Sequence, residues 1–213
     1  MEYNDLSFFY GDKSTYIPSS IPKSRTFLPK DLYASMVHDA IICCTDIILV
    51  RHNPYNHKKE CLLVERGSEP VKGAWWYPGG RMYKGETFFD TALRKVKEEA
   101  GIDLTSTSHT KAKDLVLQVM GVYNTFFPTS AWDTETQKGT QTVNAMVLIV
   151  LPHNPNHAEN NFTYDVMLDE TSERYKWISL DVQEAERNKE DPYVLEGLRR
   201  LAAWNATHGK IWN

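Results

Sequence analysis

The chain has 213 residues, of which 41% are hydrophobic and 24% charged, and its formal net charge is −4 at pH 7. This length and apolar content suffice for one full hydrophobic core. The negative charge argues against nucleic acid or an anionic membrane as the main partner. No stretch approaches the ~20 apolar residues that a membrane-spanning helix needs. The acidic start of the chain lacks the basic and apolar features of a signal peptide.

Cysteine usage indicates a reducing compartment. Cys43 and Cys44 are adjacent, and Cys61 lies in a second apolar segment. We expect all three to be buried free thiols, because stable disulfides are rare where thiols are kept reduced. A cytoplasmic location is therefore expected.

The order of the predicted elements indicates the fold class. Residues 1–24 contain Pro, Ser and Tyr at short intervals, which predicts an irregular N-terminal arm. Apolar runs predict strands and 3.6-residue periodicity predicts helices. The strands are predicted at residues 36–51, 61–65, 115–126, 140–151 and 175–178, and the helices at 88–100, 182–188 and 193–205. Strands mixed with helices in this order predict an α/β fold.

The helix at residues 88–100 is predicted by several independent features. At 100° per residue one narrow apolar stripe forms, made of Phe89, Ala92, Leu93, Val96 and Ala100. Thr87 is the expected N-cap, and Gly101 is the expected residue just past the end. Glu98, Glu99 and Lys95 then share one strip of the helix surface.

Paired glutamates on a helix are usually a solvated face with weak ion pairs of roughly 0.2–0.5 kcal/mol each. Here they belong to a longer pattern of fixed spacing, which runs through Gly80, Glu86, Arg94, Val96, Glu98, Glu99, Gly101 and Ile102. This pattern resembles the Nudix box. The one fixed position that differs is Lys95, where the family has Glu. The full pattern, and not the glutamate pair, favours a metal site.

The resemblance to Nudix hydrolases implies an α/β/α sandwich with a mixed central sheet, spanning residues 25–213. It also implies metal-dependent hydrolysis of a nucleoside diphosphate linked to another group. By position, Glu98, Glu99 and the carbonyl of Gly79 would ligate Mg²⁺, with Mn²⁺ as the alternative. Arg94 would orient the carboxylates, and Glu86 would support the loop–helix junction. Carboxylates and substrate phosphates are the ligands that Mg²⁺ prefers.

Lys95 sets this chain apart from the family pattern. An ammonium at this position can neither bind a second cation nor act as a base at pH 7. We therefore expect one Mg²⁺ held tightly in the free protein, and a catalytic base from elsewhere. The GDP-mannose mannosyl hydrolase branch of the family also lacks the carboxylate at this position.

The resemblance to that branch covers roughly residues 25–180. Residues 25–33 resemble its short N-terminal helix, and residues 37–42 resemble its first strand, with Asp39 at a sugar-contacting position. Arg66 and Arg81 occupy its two diphosphate-binding positions, where the planar guanidinium fork suits phosphate oxygens. The resemblance implies a nucleotide-sugar substrate, GDP-mannose first, and leaves a homodimer open.

The chain departs from the branch at its catalytic base. Thr171 and Ser172 stand where the branch has Gln and His, and Thr125 replaces a second His. Glu170 or Glu173 is the expected substitute for the base, with Glu170 preferred. Attack at the sugar carbon and attack at phosphorus both remain open. The alternatives are a pyrophosphohydrolase of another nucleoside diphosphate derivative and a catalytically impaired Nudix-fold binding protein.

Overall fold

The computed structural model describes residues 28–53, 55–56, 58–104, 115–132, 139–151, 165–170 and 172–208. The predicted arm at residues 1–24 lies outside the described residues. The described helices are α1 Lys30–Asp39, α2 Phe88–Ala100, α3 Val182–Arg187 and α4 Pro192–His208. The described strands are β1 Ile42–His52, β2 Lys59–Arg66, β3 Trp75–Trp76, β4 Gly79–Arg81, β5 Val116–Phe127, β6 Thr140–Val150 and β7 Ser172–Ser179.

The strands form one mixed sheet in the order β3-β2-β1-β6-β5, with β4 also paired to β1 and β7 to β2. The pair β1–β6 is parallel, and the other pairs are antiparallel. Strand residues alternate between two cores, because successive side chains point to opposite faces of a sheet. Ile47 and Leu49 pack with α2 on one face, and Ile48 and Val50 pack with α4 on the other. This arrangement confirms the predicted α/β fold.

Helix α2 has the predicted bounds. The Thr87 hydroxyl accepts a hydrogen bond from the Asp90 N–H at 3.1 Å, and the Asp90 carboxylate accepts one from the Thr87 N–H at 2.9 Å. This reciprocal capping box satisfies two N–H groups that the first helical turn leaves unpaired. Gly101 ends the helix in the left-handed conformation, at φ 70°, which glycine adopts without steric cost.

The strand predicted at residues 36–51 is wrong over its first part. Residues up to Asp39 belong to α1, and β1 begins only at Ile42. The helix begins directly after Pro29, and the Tyr33 N–H donates to the Pro29 carbonyl at 2.9 Å. Of the residues of α1 only Val37 is buried, so this helix has no clear apolar stripe, and the β-branched pair at 41–42 favoured a strand in the sequence. Asp39 ends a helix, so its predicted place in the first strand is wrong too.

The short strands β3 and β4 were not predicted, because two or three residues carry no period. The three cysteines are free, as expected, but only Cys61 is buried, whereas Cys43 is exposed and Cys44 is half-buried. Within the described ranges, no helix has both the length and the apolar character that crossing a membrane requires.

Candidate active site

A cleft with a volume of about 250 Å³ opens between α1, the ends of β1 and β6, and strand β4. The charged residues that line it are Asp46, Arg66, Glu69, Arg81 and Glu99. Aromatic residues form much of the remaining wall, namely Tyr33, Trp76, Tyr77, Phe127 and Trp132. Both predicted diphosphate-binding arginines and two of the three predicted metal ligands, Gly79 and Glu99, thus lie in the same cleft.

Arg94 and Glu86 join the loop after β4 to helix α2. The Arg94 Nε donates to Glu86 Oε1 at 2.8 Å, and its Nη2 donates to Glu86 Oε2 at 2.9 Å. Nη2 also donates to the carbonyl of Arg81 at 3.0 Å, which fixes the end of β4. The Glu86 side chain is only 7% exposed and accepts further bonds from the Tyr83 N–H and the Thr91 hydroxyl. A paired fork of this kind holds the two segments in one relative position.

The pKa of Glu86 lies below its ordinary value. Burial alone raises the pKa, but the hydrogen bonds from Arg94 and from the Tyr83 N–H favour the charged form and outweigh it. Glu86 is therefore an anion whose oxygens are engaged within the protein. In this arrangement it braces the loop and is not available as a metal ligand.

Glu99 lies against Gly79 of β4, and Glu98 lies next to it on the same helix. Glu99 is nearly buried, and its Oε2 accepts a hydrogen bond from the Gly79 N–H at 2.9 Å. Its Oε1 lies 2.6 Å from the Nζ of Lys95. Glu98 is more exposed, and its Oε2 lies 3.0 Å from Arg94 Nη1 and 3.4 Å from Lys95 Nζ. Lys95 is thus positioned between the two carboxylates.

Burial and neighbouring charges shift the pKa of each of these two residues, Glu99 and Lys95, in opposite directions. Burial raises the pKa of Glu99, although the adjacent Lys95 ammonium and the Gly79 N–H lower it in part. Burial lowers the pKa of Lys95, but the carboxylates of Glu99 and Glu98 reverse this, so its pKa lies above the ordinary value. Lys95 is therefore an ammonium at neutral pH, as its role opposite two carboxylates requires.

The donors fit a divalent cation in type but not in number. Carboxylate oxygens are the ligands that Mg²⁺ prefers, and Glu98 and Glu99 supply them next to the cleft. The described residues nevertheless include no group of three or more His, Cys, Asp or Glu side chains arranged to bind a metal. The Lys95 ammonium also takes the place between Glu98 and Glu99. A cation would need Lys95 to move and substrate oxygens to complete its coordination.

Sequence reasoning missed Asp46 as a cleft residue. This side chain on β1 is 4% exposed, and its Oδ2 accepts hydrogen bonds from Asn144 Nδ2 at 2.5 Å and from the Tyr193 hydroxyl at 2.8 Å. The Thr142 hydroxyl in turn donates to Asn144 Oδ1. An acidic residue inside the apolar run of residues 40–50 was the available signal, since an aspartate in a strand core needs partners.

Burial raises the pKa of Asp46, although hydrogen bonds from Tyr193 and Asn144 and the charge of Arg66 oppose this. A carboxyl with a raised folded-state pKa stabilises the fold most below its unfolded pKa, and this contribution is lost as pH rises. We therefore expect Asp46→Asn to gain stability relative to the wild type as pH rises from 4 to 7. Urea unfolding at both pH values measures the difference, with the exposed Asp39→Asn as control. A difference that does not change with pH would contradict this expectation.

The two cleft arginines have different surroundings. Arg66 is half-buried and donates through Nε to the carbonyl of Pro70 at 2.8 Å. Burial lowers its pKa, and Asp46 and Glu99 oppose this effect. The Arg81 guanidinium lies 4.9 Å from the ring centre of Tyr33, which itself contacts Trp132 edge-on at 4.9 Å. Arg66 is thus held within the cleft, and Arg81 lies where aromatic residues form its wall.

The remaining predicted site residues lie elsewhere. Asp39 is 71% exposed, next to His38. Among the described residues, Ser172 lines the cleft, whereas Asp39, Glu170 and Glu173 do not. Asp169 does not line the cleft either, but after burial its charge also contributes to the raised pKa of Glu99. The Met167 N–H donates to the Ala100 carbonyl at 2.9 Å, which holds this segment against the end of α2.

The cleft thus brings Arg66, Arg81 and the Glu99 carboxylate together on an α/β/α scaffold. The family model described as NUDIX domain matches residues 48–198. The chain therefore belongs to the Nudix family.

Curated relatives share only parts of their length with this chain. The low-salt glycan biosynthesis protein Agl8 of Haloferax volcanii is 30% identical over 108 residues, which are 51% of this chain and 59% of that protein. The mouse 8-oxo-dGDP phosphatase NUDT18 is 40% identical over 47 residues, 22% of this chain and 15% of that protein. The matches thus span less than two thirds of each of these relatives.

Solved structures share the fold. An Ap4A hydrolase binary complex from C. elegans has a TM-score of 0.52 at 24% identity, covering 78% of this chain and 99% of that one. The NUDIX domain of Shewanella oneidensis NrtR, in complex with ADP ribose, has a TM-score of 0.51 at 15% identity, covering 79% and 97%. At such identities the likeness concerns the fold alone.

Proposed function

We propose that this protein is a metal-assisted Nudix hydrolase of a nucleoside diphosphate linked to a sugar, with GDP-mannose as the first candidate. The observation that carries the proposal is that Arg66, Arg81 and Glu99 line one cleft. Two guanidinium groups suit the oxygens of a diphosphate, because each presents several N–H donors in a planar fork and stays charged. The proposed domain comprises residues 25–213, preceded by the arm at 1–24.

A sugar as the linked group is supported by Asp46 in the same cleft. Asn144 and Tyr193 fix the position of this carboxylate. A carboxylate held in a fixed position is suited to accept a hydrogen bond from a sugar hydroxyl and to orient the ring. The name of the Haloferax relative also refers to glycan biosynthesis. Asp39, expected in this role from the sequence, lies at the exposed end of α1, so Asp46 is the better candidate.

Separate groups of residues would bind the cation and the diphosphate. Glu98 and Glu99 would hold the Mg²⁺ or Mn²⁺, together with Gly79 if its carbonyl contributes; when bound, such a cation neutralises the diphosphate charge and polarises its oxygens. Arg66 and Arg81 bind the diphosphate and orient it. Arg94 and Glu86 keep β4 and α2 at a fixed distance, so that arginines and carboxylates face the same substrate.

The attacking water needs a group that accepts its proton. Glu170 was expected from the sequence, and Asp169 is a neighbouring candidate, because its charge contributes, after burial, to the raised pKa of Glu99. We expect Asp169→Asn to lower turnover more than Glu170→Gln, since general-base catalysis contributes about 10²–10⁴-fold. Turnover of both variants at saturating substrate checks this. A larger loss in Glu170→Gln would restore the original assignment.

Two alternatives have observations in their favour. Retention of both Glu98 and Glu99 suits a pyrophosphohydrolase acting at phosphorus on another nucleoside diphosphate derivative. The Lys95 ammonium between these carboxylates suits a catalytically impaired binding protein instead. The enzyme is preferred because Glu98, Glu99, Glu86 and Arg94 are all retained, together with both cleft arginines.

The test is hydrolysis of a panel of nucleoside diphosphate compounds with Mg²⁺ in ¹⁸O-labelled water. The panel comprises GDP-mannose, UDP-glucose, ADP-ribose and Ap4A. Turnover of a nucleotide sugar is expected. Label in the free sugar together with unlabelled nucleoside diphosphate indicates attack at carbon, whereas label in a phosphate-bearing product indicates attack at phosphorus.

Two results would refute the proposal in different ways. Turnover of Ap4A, or of ADP-ribose, whose terminal ribose is not joined through its anomeric carbon, without turnover of GDP-mannose or UDP-glucose would support the pyrophosphohydrolase. Binding of a nucleotide sugar without hydrolysis would support the binding protein.

A further inference from the structure

Lys95 is held in place, unlike an ordinary surface lysine. Its side chain is 14% exposed, although Glu98 on the same strip is 42% exposed. The stem of Lys95 passes over Gly80, where an added Cβ would lie 2.9 Å from the Lys95 Cε. Helix α2 and strand β4 therefore enclose the lysine between them, and the glycine makes the room it needs.

The ammonium lies where two carboxylates converge. Lys95 Nζ is 2.6 Å from Glu99 Oε1 and 3.4 Å from Glu98 Oε2. The other oxygen of Glu99 is occupied by the Gly79 N–H at 2.9 Å. The Lys95 ammonium thus occupies the space between Glu99 Oε1 and Glu98 Oε2, and a cation that binds these two oxygens together must displace it.

The Lys95 ammonium and a divalent cation cannot both occupy the position between Glu98 and Glu99. A divalent ion beside an ammonium at contact distance is repelled strongly, and most strongly where water is excluded. Metal binding in the free protein therefore competes with an intramolecular cation that is present at every concentration of metal. Bound substrate favours the divalent cation in this competition, because its phosphate oxygens supply further ligands and negative charge.

We propose that the Lys95 ammonium is the resident cation of the Glu98–Glu99 pair in the free protein, and that a divalent ion enters only together with the diphosphate. The proposal rests on the proposed function. It replaces the expectation that the free protein holds one Mg²⁺ tightly. Lys95 is then a positioning residue, which keeps the carboxylates neutralised and in place until substrate arrives.

Binding of Mn²⁺ in the absence of nucleotide tests this directly. Electron paramagnetic resonance counts free Mn²⁺ in titrations of the wild type, Lys95→Met and Lys97→Met. Lys97 lies on the same helix but pairs with Asp103 at 2.5 Å, so it is a matched control. Lys95→Met is expected to bind Mn²⁺ at least about tenfold more tightly than the wild type, and Lys97→Met is expected to equal the wild type. Equal binding by all three proteins, or no binding by Lys95→Met, would overturn the proposal.

Thermal unfolding gives a second readout. Lys95→Met leaves the buried Glu99 carboxylate without its partner, so its melting temperature in EDTA should fall and Mg²⁺ should restore it. The wild type should melt at the same temperature in EDTA and in Mg²⁺. This wild-type measurement remains decisive if the variant fails to fold, since stabilisation by Mg²⁺ without nucleotide would overturn the proposal. Neither readout depends on turnover, so a failure of the proposed activity is detected separately by the hydrolysis panel.

Discussion

Glu99→Gln is expected to lower kcat about 10³-fold, which corresponds to roughly 4 kcal/mol of transition-state stabilisation. The amide keeps the size of the side chain and an oxygen that can accept from the Gly79 N–H. It loses the negative charge that a divalent cation and the Lys95 ammonium both require. Loss of that charge removes the most buried of the predicted metal ligands, while the surrounding packing stays intact.

The measurement is kcat on the best substrate of the panel at saturating Mg²⁺, with circular dichroism to verify the fold. Glu184→Gln is the matched control, because Glu184 is an exposed residue of α3, remote from the cleft. The control should retain full activity. Near wild-type turnover by Glu99→Gln would show that this carboxylate holds no catalytic metal.

The second large effect is expected on stability. Arg94→Ala should lower the free energy of unfolding by about 3–5 kcal/mol, because it leaves Glu86 as a buried carboxylate without its cation. The Arg94 and Glu86 side chains are 20% and 7% exposed, and two hydrogen bonds join them. The substitution also removes the bond to the Arg81 carbonyl and the packing of Arg94 on the Tyr83 ring, 4.0 Å from its centre.

Urea unfolding near neutral pH measures this loss. Arg199→Ala is the control, because its partner Glu186 is 46% exposed, and such surface pairs contribute about 0.2–1 kcal/mol. The sign of the pH dependence gives a further check. The pKa of Glu86 is depressed in the fold, so the stability it contributes is present above the unfolded pKa and is lost as pH falls through the folded value. The loss in free energy of unfolding caused by Arg94→Ala should therefore become smaller at acid pH. A loss that does not change with pH, or one below about 1 kcal/mol, would show that the Arg94–Glu86 pair does not stabilise the fold in this way.

Local sequence signals predicted α2 and its surroundings well. The bounds, the N-cap Thr87 and the end at Gly101 all depend on residues within a few positions of one another, so a single segment contains the information. The same holds for β2, β5 and β6, whose predicted ranges overlap the observed strands closely. Patterns of period 2 and 3.6 are properties of the local chain.

Contacts between distant segments could not be predicted in this way. Asp39 and Asp46 both lie near the first apolar run, and only the sheet shows that Asp46 meets Asn144 and Tyr193. Lys95 was recognised as a departure from the family pattern, but its contact with Glu99 depends on the room that Gly80 provides. The order of the strands in the sheet determines which acidic residue lies in the cleft. That order depends on contacts between distant segments, so no single segment of the sequence predicts it.

The partners of Asp46 determine when the cleft is completed during synthesis. Asn144 lies 98 positions after Asp46 in the chain, and Tyr193 lies 147 positions after it. A nascent chain can form the α2 region early, yet the Asp46 carboxylate lacks both hydrogen-bond donors until β6 and then α4 have emerged and docked. Contacts of such long range form slowly compared with local ones. The wall of the cleft around Asp46 is therefore complete only after β6 and α4 have docked.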